Sequence, residues 1–227
     1  MASELEARIL ELDEFFRTAA HDLKAPLRSI EAFTRLATEA DDQVEAAEHL
    51  DRVLNAVGRM RRLLDSLLDY ADAGGQSPEL SAIPLNEVVQ AALADLAVDL
   101  DEARATIDVG GLPDVECDPT QLQRVFVNVL ANSISHSAEP GRTITVRANE
   151  NTDRVLVTIA DDGDGFAPDL AEEVFQPFRR LSTSAGQGIG LAICRRIVER
   201  HGGEIWAETA PGLGTTVSIT LPRAGGE

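Results

Sequence analysis

Apolar residues at Leu5, Ile9, Leu12, Phe16, Ala19, Leu23, Ile30, Phe33 and Ala37 recur at alternating spacings of four and three. This is the heptad pattern of a helix with one apolar seam, and it predicts a helix over residues 4–39. Pro26 falls on the seam in the same register. A proline inside a helix removes one backbone hydrogen bond at a cost of about 3 kcal/mol, so a bend is expected there. Asp41-Asp42 offers a turn and cap. A second heptad series at Ala46, Leu50, Val53, Val57, Met60, Leu64, Leu67 and Ala71 predicts a second helix. The two read as an αα-hairpin whose apolar stripe stays half exposed in a monomer, and a homodimeric four-helix bundle would cover it. Gly74-Gly75-Gln76-Ser77-Pro78 is a linker by composition. The expected organisation is an all-α helical hairpin over residues 1–75 and a second domain over residues 76–227.

Beyond the linker the periodicity is mixed. Helices are expected at 85–100, from Asp118 to about 137, and at 189–201. Strands are expected at 105–109, 115–117, 143–149, 154–160, 204–208 and 215–221, with Asn151-Thr152-Asp153 joining two of them as a hairpin. Asp118-Pro119-Thr120-Gln121 is a helix start, with Asp as cap, Pro at the first helical position and Gln three residues after the cap. Strands grouped with helices, without regular βαβ alternation, predict an α+β sandwich with helices on one sheet face.

Composition narrows the classes. Hydrophobic content of 44% over 227 residues is ample for two small cores, and aromatics at 4% mean that Leu, Val, Ile and Ala build them. A net charge of −19 argues against a nucleic-acid partner, which would need a basic face. Of 20 basic residues only Lys24 is a lysine. A salt-adapted host or simply a well-solvated acidic surface accounts for the charge. Cys117 and Cys194 show neither metal nor disulfide spacing and read as buried small hydrophobes. With no apolar run of membrane-spanning length and no signal peptide, the chain is expected to be cytoplasmic with no membrane segment. The heptad starts within a few residues of Met1, which suggests a sensor segment upstream.

Several positions are hard to explain as packing alone. His21 lies at an f position, opposite the seam, beside Asp22. A neutral imidazole is a usable nucleophile at pH 7, and an adjacent carboxylate can orient it or accept its proton. Arg124, Asn128, Asn132 and Ser135 or His136 form a polar stripe on the helix opened by Asp118; two amides one turn apart among apolar neighbours call for a ligand, a metal ion or solvent. Asp161-Asp162-Gly163-Asp164-Gly165 leaves a strand, with glycines at alternate positions that allow close approach and carboxylates that can accept hydrogen bonds; its glycines occupy liganding positions of a calcium loop, so calcium is not expected. Gly186-Gln187-Gly188-Ile189-Gly190 opens a helix whose free amides favour phosphate, although it is neither a Rossmann fingerprint nor a P-loop. Phe175, Phe178, Arg179 and Arg180 lead into Ser182-Thr183-Ser184-Ala185, which looks like a lid over a phosphate. His49 is expected on a solvated helix face, His136 in capping or packing, and His201 at a helix C-terminus favoured by the dipole.

In this order the clusters resemble the H, N, G1, F and G2 boxes of sensor histidine kinases of two-component systems, over nearly the whole chain. The wording His-Asp-Leu-Lys-Ala-Pro-Leu is most similar to kinase halves attached to phytochromes. The resemblance implies a dimerisation and phosphotransfer hairpin followed by an ATP-binding domain of the kind shared with chaperone and topoisomerase relatives. It implies that His21 takes the γ-phosphoryl group of ATP with Asp22 as base or orienting partner, then passes it to an aspartate of a separate response regulator. Asn128 and Asn132 would bind phosphates and Mg²⁺, with Asn128 as the metal ligand. Asp161 would meet the adenine amino group, and Gly163 and Gly165 the adenine pocket. Gly186, Gly188 and Gly190 would shape the lid hinge and phosphate site, and Arg179 or Arg180 would neutralise transferring charge. Three departures stand out: Ser135 where the family often has Lys, Gln187 where Thr is common, and Ala25 where Thr or Asn would orient water. They imply slower autophosphorylation and weak phosphatase activity. The alternative that Ser135 and Gln187 raise is a relay or scaffold module with a degenerate nucleotide pocket.

Overall fold

The computed structural model describes residues 2–75, 77–135, 141–179 and 188–225, with side chains from Phe15 onward. Contacts divide the chain into two compact units, Met1–Asp69 and Tyr70–Glu227. The division lies inside a helix, upstream of the glycine linker. Tyr70 is buried under the Arg196 guanidinium, 4.2 Å from its ring centroid, and its carbonyl accepts a bond from Arg196 Nη1 at 3.2 Å. The last turn of that helix therefore packs with the second unit.

The first unit is the expected hairpin, α1 (Ala2–Glu39) and α2 (Gln43–Gly75). Asp42 caps α2, its Oδ1 accepting from the N–H groups of Val44 and Glu45 at 2.8 Å each. α1 continues through Pro26, which is buried on the seam together with Ala19, so the proline does not end the helix. On α2 the buried positions are Ala56, Leu63 and Tyr70, seven apart, with Ala73 added in the last turn. One more heptad back reaches His49, which stacks on Phe33 at 6.0 Å between centroids and leaves only 17% of its side chain exposed. This corrects the expectation of a solvated His49. The periodicity at Leu50, Val57 and Leu64 marks a second stripe that stays outside the intrachain seam. No helix among the described residues is long and apolar enough to cross a membrane.

The second unit builds the expected α+β sandwich. A five-stranded sheet has the order β2-β4-β5-β7-β6, from β2 (Thr106–Val109), β4 (Thr143–Glu150), β5 (Arg154–Asp161), β6 (Ile205–Thr209) and β7 (Thr215–Pro222). Only the β2–β4 pairing is parallel. Register places Val146 opposite Ile159, Ile159 opposite Val217, and Val157 opposite Ile219, so alternate residues form one buried apolar face. On it lie α5 (Pro119–Ser135) and α6 (Gly190–Arg200), with α3 (Leu85–Asp95) against α5.

Two elements depart from the sequence pattern. The helix expected at 85–100 breaks at Leu96 (φ −98°, ψ 9°) into α3 and the short α4 (Ala97–Ala103). Leu96 is buried while α4 buries none of its residues, so the chain turns once its last core contact is made. A strand not expected, β1 (Ser81–Pro84), pairs with β3 (Asp114–Cys117) in a separate two-stranded sheet. His201 also differs from expectation. It is buried, its Nε2 accepts from the Asp118 N–H at 3.0 Å and its Nδ1 donates to the Ile197 carbonyl at 2.8 Å. The ring joins the end of α6 to the start of α5 as a neutral tautomer, not as a cation at a helix end.

Candidate functional site

His21 projects from α1 on the side away from Ala19 and Pro26, with 77% of its side chain exposed. Its Nδ1 lies 3.2 Å from Asp22 Oδ1. A carboxylate only accepts, so in the neutral ring this contact puts the proton on Nδ1 and the lone pair on Nε2. The helix fixes both residues as neighbours, and the ring is open to solvent.

In the second unit Asn128 and Asn132 are one turn apart on α5, half-buried at the flank of a face formed by Leu122, Val125, Phe126, Val129 and Leu130. α5 starts where predicted, because Asp118 Oδ1 accepts from the N–H groups of Thr120 and Gln121 at 3.1 Å each. Gly190, the first residue of α6, packs against Asn128: a Cβ there would lie 3.1 Å from Asn128 Oδ1. Gly188 just before it has φ +70°, a conformation that favours glycine. The asparagines and the glycine turn are thus parts of one site. Behind Asn128 sits Cys194, whose thiol burial pushes up to about 12. Cys117 is likewise buried and pushed up to about 12, so both cysteines are inert packing residues.

Asp161 ends β5. Its Oδ1 accepts from the Gly163 N–H at 3.0 Å and from the Thr215 N–H at 3.2 Å. Two backbone donors hold one carboxylate oxygen, and the other has no hydrogen-bond partner among the described residues. The surrounding glycines are steric necessities. A Cβ on Gly163 would lie 2.6 Å from Asp161 Oδ1, and one on Gly165 would lie 2.1 Å from the Ala210 carbonyl oxygen. Gly214, at φ +81°, would set a Cβ 1.9 Å from the Asp161 carbonyl oxygen. The result is a half-buried acceptor in a rigid, side-chain-free cradle.

Phe175 is buried beneath the Arg195 guanidinium, 4.6 Å from the ring centroid. Arg195 also bonds Glu172 Oε1 at 2.6 Å, and that hydrogen bond holds the Glu172 carboxyl below its usual range. Phe178 takes φ +63°, costly for an aromatic residue, in the turn closed by the Arg179 N–H to the Gln176 carbonyl at 3.3 Å. Arg179, expected to neutralise transferring charge, is ion-paired with Glu173. Arg180, Gly186, Gln187, His136 and the small-residue run at 182–185 lie outside the described residues. Arg142, which no motif or periodicity marks, is buried beside Gly163 and donates from Nη1 to the Ser133 carbonyl at 2.6 Å.

No group of three or more His, Cys, Asp or Glu residues comes together among the described residues. The hard donors available at this site are the carboxamide oxygens of Asn128 and Asn132. Such a set fits a Mg²⁺ ion that keeps most of its contacts to phosphates and water.

Comparison with known proteins places these features. Residues 11–76 match the family model of the His Kinase A (phospho-acceptor) domain, and residues 117–225 that of the histidine kinase-, DNA gyrase B- and HSP90-like ATPase. The phytochrome-like protein Cph1 of Synechocystis is 35% identical over 98% of this chain and 30% of its own length. The sensor histidine kinase WalK of Bacillus subtilis is 28% identical over 97% of this chain and 38% of its own length. The chain thus spans about a third of these curated relatives. Among solved structures, the histidine kinase ThkA in complex with the response regulator TrrA matches 96% of this chain and 64% of its own, with a TM-score of 0.77 and 23% identity. Acinetobacter baumannii AdeS matches 90% and 98% with a TM-score of 0.70 and 20% identity. At those identities the two structures support the fold.

Proposed function

Because the chain belongs to the sensor histidine kinase family through both of its domains, we propose that it uses ATP to phosphorylate its own His21 and passes the phosphoryl group to a response regulator. The observation that carries this reading is that His21, exposed and in contact through Nδ1 with Asp22, occurs with a second unit in which one Asp161 oxygen has no hydrogen-bond partner among the described residues and sits in a glycine cradle. The first supplies a nucleophile and the second an acceptor for a donor on the base.

In the reaction, the Nε2 lone pair attacks the γ-phosphorus as the bond to the ADP oxygen breaks, and the Nδ1 proton passes to Asp22 or solvent. The products are phosphohistidine, ADP and a proton. Asp161 accepts a hydrogen bond from the adenine amino group, and the Gly188–Gly190 turn at the start of α6 supports the phosphates with free amides. Asn128 and Asn132 are the residues that would hold Mg²⁺, which when bound supplies charge neutralisation on the phosphates. Catalysis here rests on positioning and electrostatics. Of the two arginines expected to neutralise transferring charge, Arg179 must leave Glu173 to do so.

The active species is a homodimer, since Leu50, Leu54, Val57, Leu64 and Leu68 leave an apolar stripe exposed on α2. The partner is the receiver domain of a separate regulator in the same cytoplasmic compartment, which accepts the phosphoryl group on an aspartate. Ala25, four residues after His21, offers no group to orient water, so dephosphorylation of that regulator is slow. The test is ADP formation from Mg·ATP by the purified chain, beside His21→Ala. A burst of about one ADP per protomer that disappears in the variant, with nucleotide binding retained, is the outcome for a self-phosphorylating kinase. Binding without a burst is the outcome for a relay or scaffold.

A further inference from the structure

Arg142 is 6% exposed in a chain whose other arginines lie mostly at the surface, and a buried guanidinium is costly unless its donors are used. Among the described residues its Nη1 is hydrogen-bonded, while its Nε is buried with an ion pair but no hydrogen bond. Ser133 lies in the last turn of α5, where a helix leaves its final carbonyls without intrahelical partners. Arg142 Nη1 satisfies the Ser133 carbonyl at 2.6 Å, and Ser135 Oγ satisfies that of Asn132 at 3.3 Å. On its other side Arg142 Nε lies 3.7 Å from Asp162 Oδ1, and the Asp162 carboxylate accepts from the Thr143 N–H at 3.1 Å. The guanidinium also lies close against Gly163: a Cβ on that glycine would come within 2.8 Å of Arg142 Nη1. Gly163 is the residue whose N–H fixes Asp161 Oδ1.

One side chain therefore touches both ends of the pocket. It caps the helix turn that carries Asn132, and it backs the loop that aims Asp161. We infer that Arg142 is a positioning residue which sets the adenine acceptor in register with the phosphate-binding asparagines; this rests on the ATP-binding reading above. The guanidinium never meets the nucleotide. It acts by making the Asp161–Gly165 loop and the α5 terminus one rigid body, and Arg142 Nη1, like Asp161 Oδ1, leaves no room for a side chain on Gly163.

A purely structural arginine would change stability, whereas a positioning arginine also changes which base the pocket prefers. The experiment is equilibrium binding of ATP and of GTP by calorimetry to the wild-type chain, Arg142→Met and Arg142→Lys, each at a temperature well below its own Tm. Loss of one well-oriented acceptor corresponds to about tenfold in affinity. Arg142→Met is expected to weaken ATP by about that factor and GTP by less than about twofold, so the ratio collapses. Arg142→Lys, which keeps the charge but not the fork, is expected to recover part of the ratio. An unchanged ATP-to-GTP ratio in Arg142→Met overturns the inference, and if that variant does not fold, an unchanged ratio in Arg142→Lys does so. A wild-type chain that binds neither nucleotide refutes the kinase reading itself, and the role of Arg142 falls with it.

Discussion

Replacing Asp161 by asparagine changes one atom and tests the base-recognition step directly. In the native chain Oδ1 is committed to the Gly163 and Thr215 N–H groups at 3.0 and 3.2 Å, and the other oxygen is left to accept from a ligand. A carboxamide has one acceptor to offer. If its oxygen stays on the backbone donors, its NH₂ group faces the adenine amino group, donor against donor. If it flips, two backbone N–H groups lose their acceptor. Either arrangement forfeits a hydrogen bond to a charged acceptor, about 1.5–3 kcal/mol, or about 10- to 150-fold in Kd. Calorimetric titration with ATP should show that loss in D161N, while a purine nucleotide lacking the 6-amino group should bind both proteins within about twofold of each other. The difference between the two ligands isolates the contact from any general loosening. Equal weakening of both ligands, or ATP affinity within about twofold of the native chain, would refute the assignment of Asp161 to the amino group.

The exposed stripe on α2 predicts that Leu54→Glu with Leu64→Glu dissociates the dimer: at about 1–2 kcal/mol per half-exposed leucine, two per protomer and two protomers, the shift is about 4–8 kcal/mol. Light scattering should then find monomer at micromolar concentration, and a persistent dimer would move the interface elsewhere. The buried thiols, with Cys117 and Cys194 pushed from 9.0 up to about 12, keep protons that the unfolded chain releases. Their contribution is complete below pH 9.0 and is lost as pH rises toward about 12, at about 1.4 kcal/mol per pH unit for each thiol. Denaturant titrations should show this slope and its reduction in C117A/C194A; the same slope in both would assign it to other groups. Arg104 closes α4 in the left-handed conformation at φ 51°. Arg104→Gly should stabilise the fold by about 0.5–1 kcal/mol and raise Tm by about 1–3 °C, and a lower Tm would mean that its side chain contributes more than the backbone strain costs.

The parts legible in the sequence were those written in local chemistry. Heptad spacing marked both hairpin helices, Asp118 and Pro119 marked the start of α5, and alternation marked the sheet strands. Asn128, Asn132, Asp161 and the glycines stood out because polar residues amid apolar ones, and glycines at alternate positions, are costly without a purpose. What was not legible depended on distant partners. α2 carries two apolar stripes, and sequence alone does not say that 56 and 63 are buried while 50, 57 and 64 stay exposed, so His49 fell on the wrong side. β1 is four residues long with an exposed pattern, and only its pairing with β3 makes it a strand. The break at Leu96 follows from where the core ends. Arg142 follows a glycine after a helix and reads as surface charge; its burial comes from the convergence of Ser133, Asp162 and Gly163.

The account's central claim is that His21 itself receives the phosphoryl group. The direct measurement is incubation of the chain with Mg²⁺ and γ-labelled ATP, beside His21→Ala, followed by acid and alkali treatment of the denatured protein. A phosphoramidate on His21 predicts label that is lost in acid, kept in alkali and absent from the variant. Label that survives acid, or that persists in His21→Ala, would contradict the claim and place the acceptor on another residue.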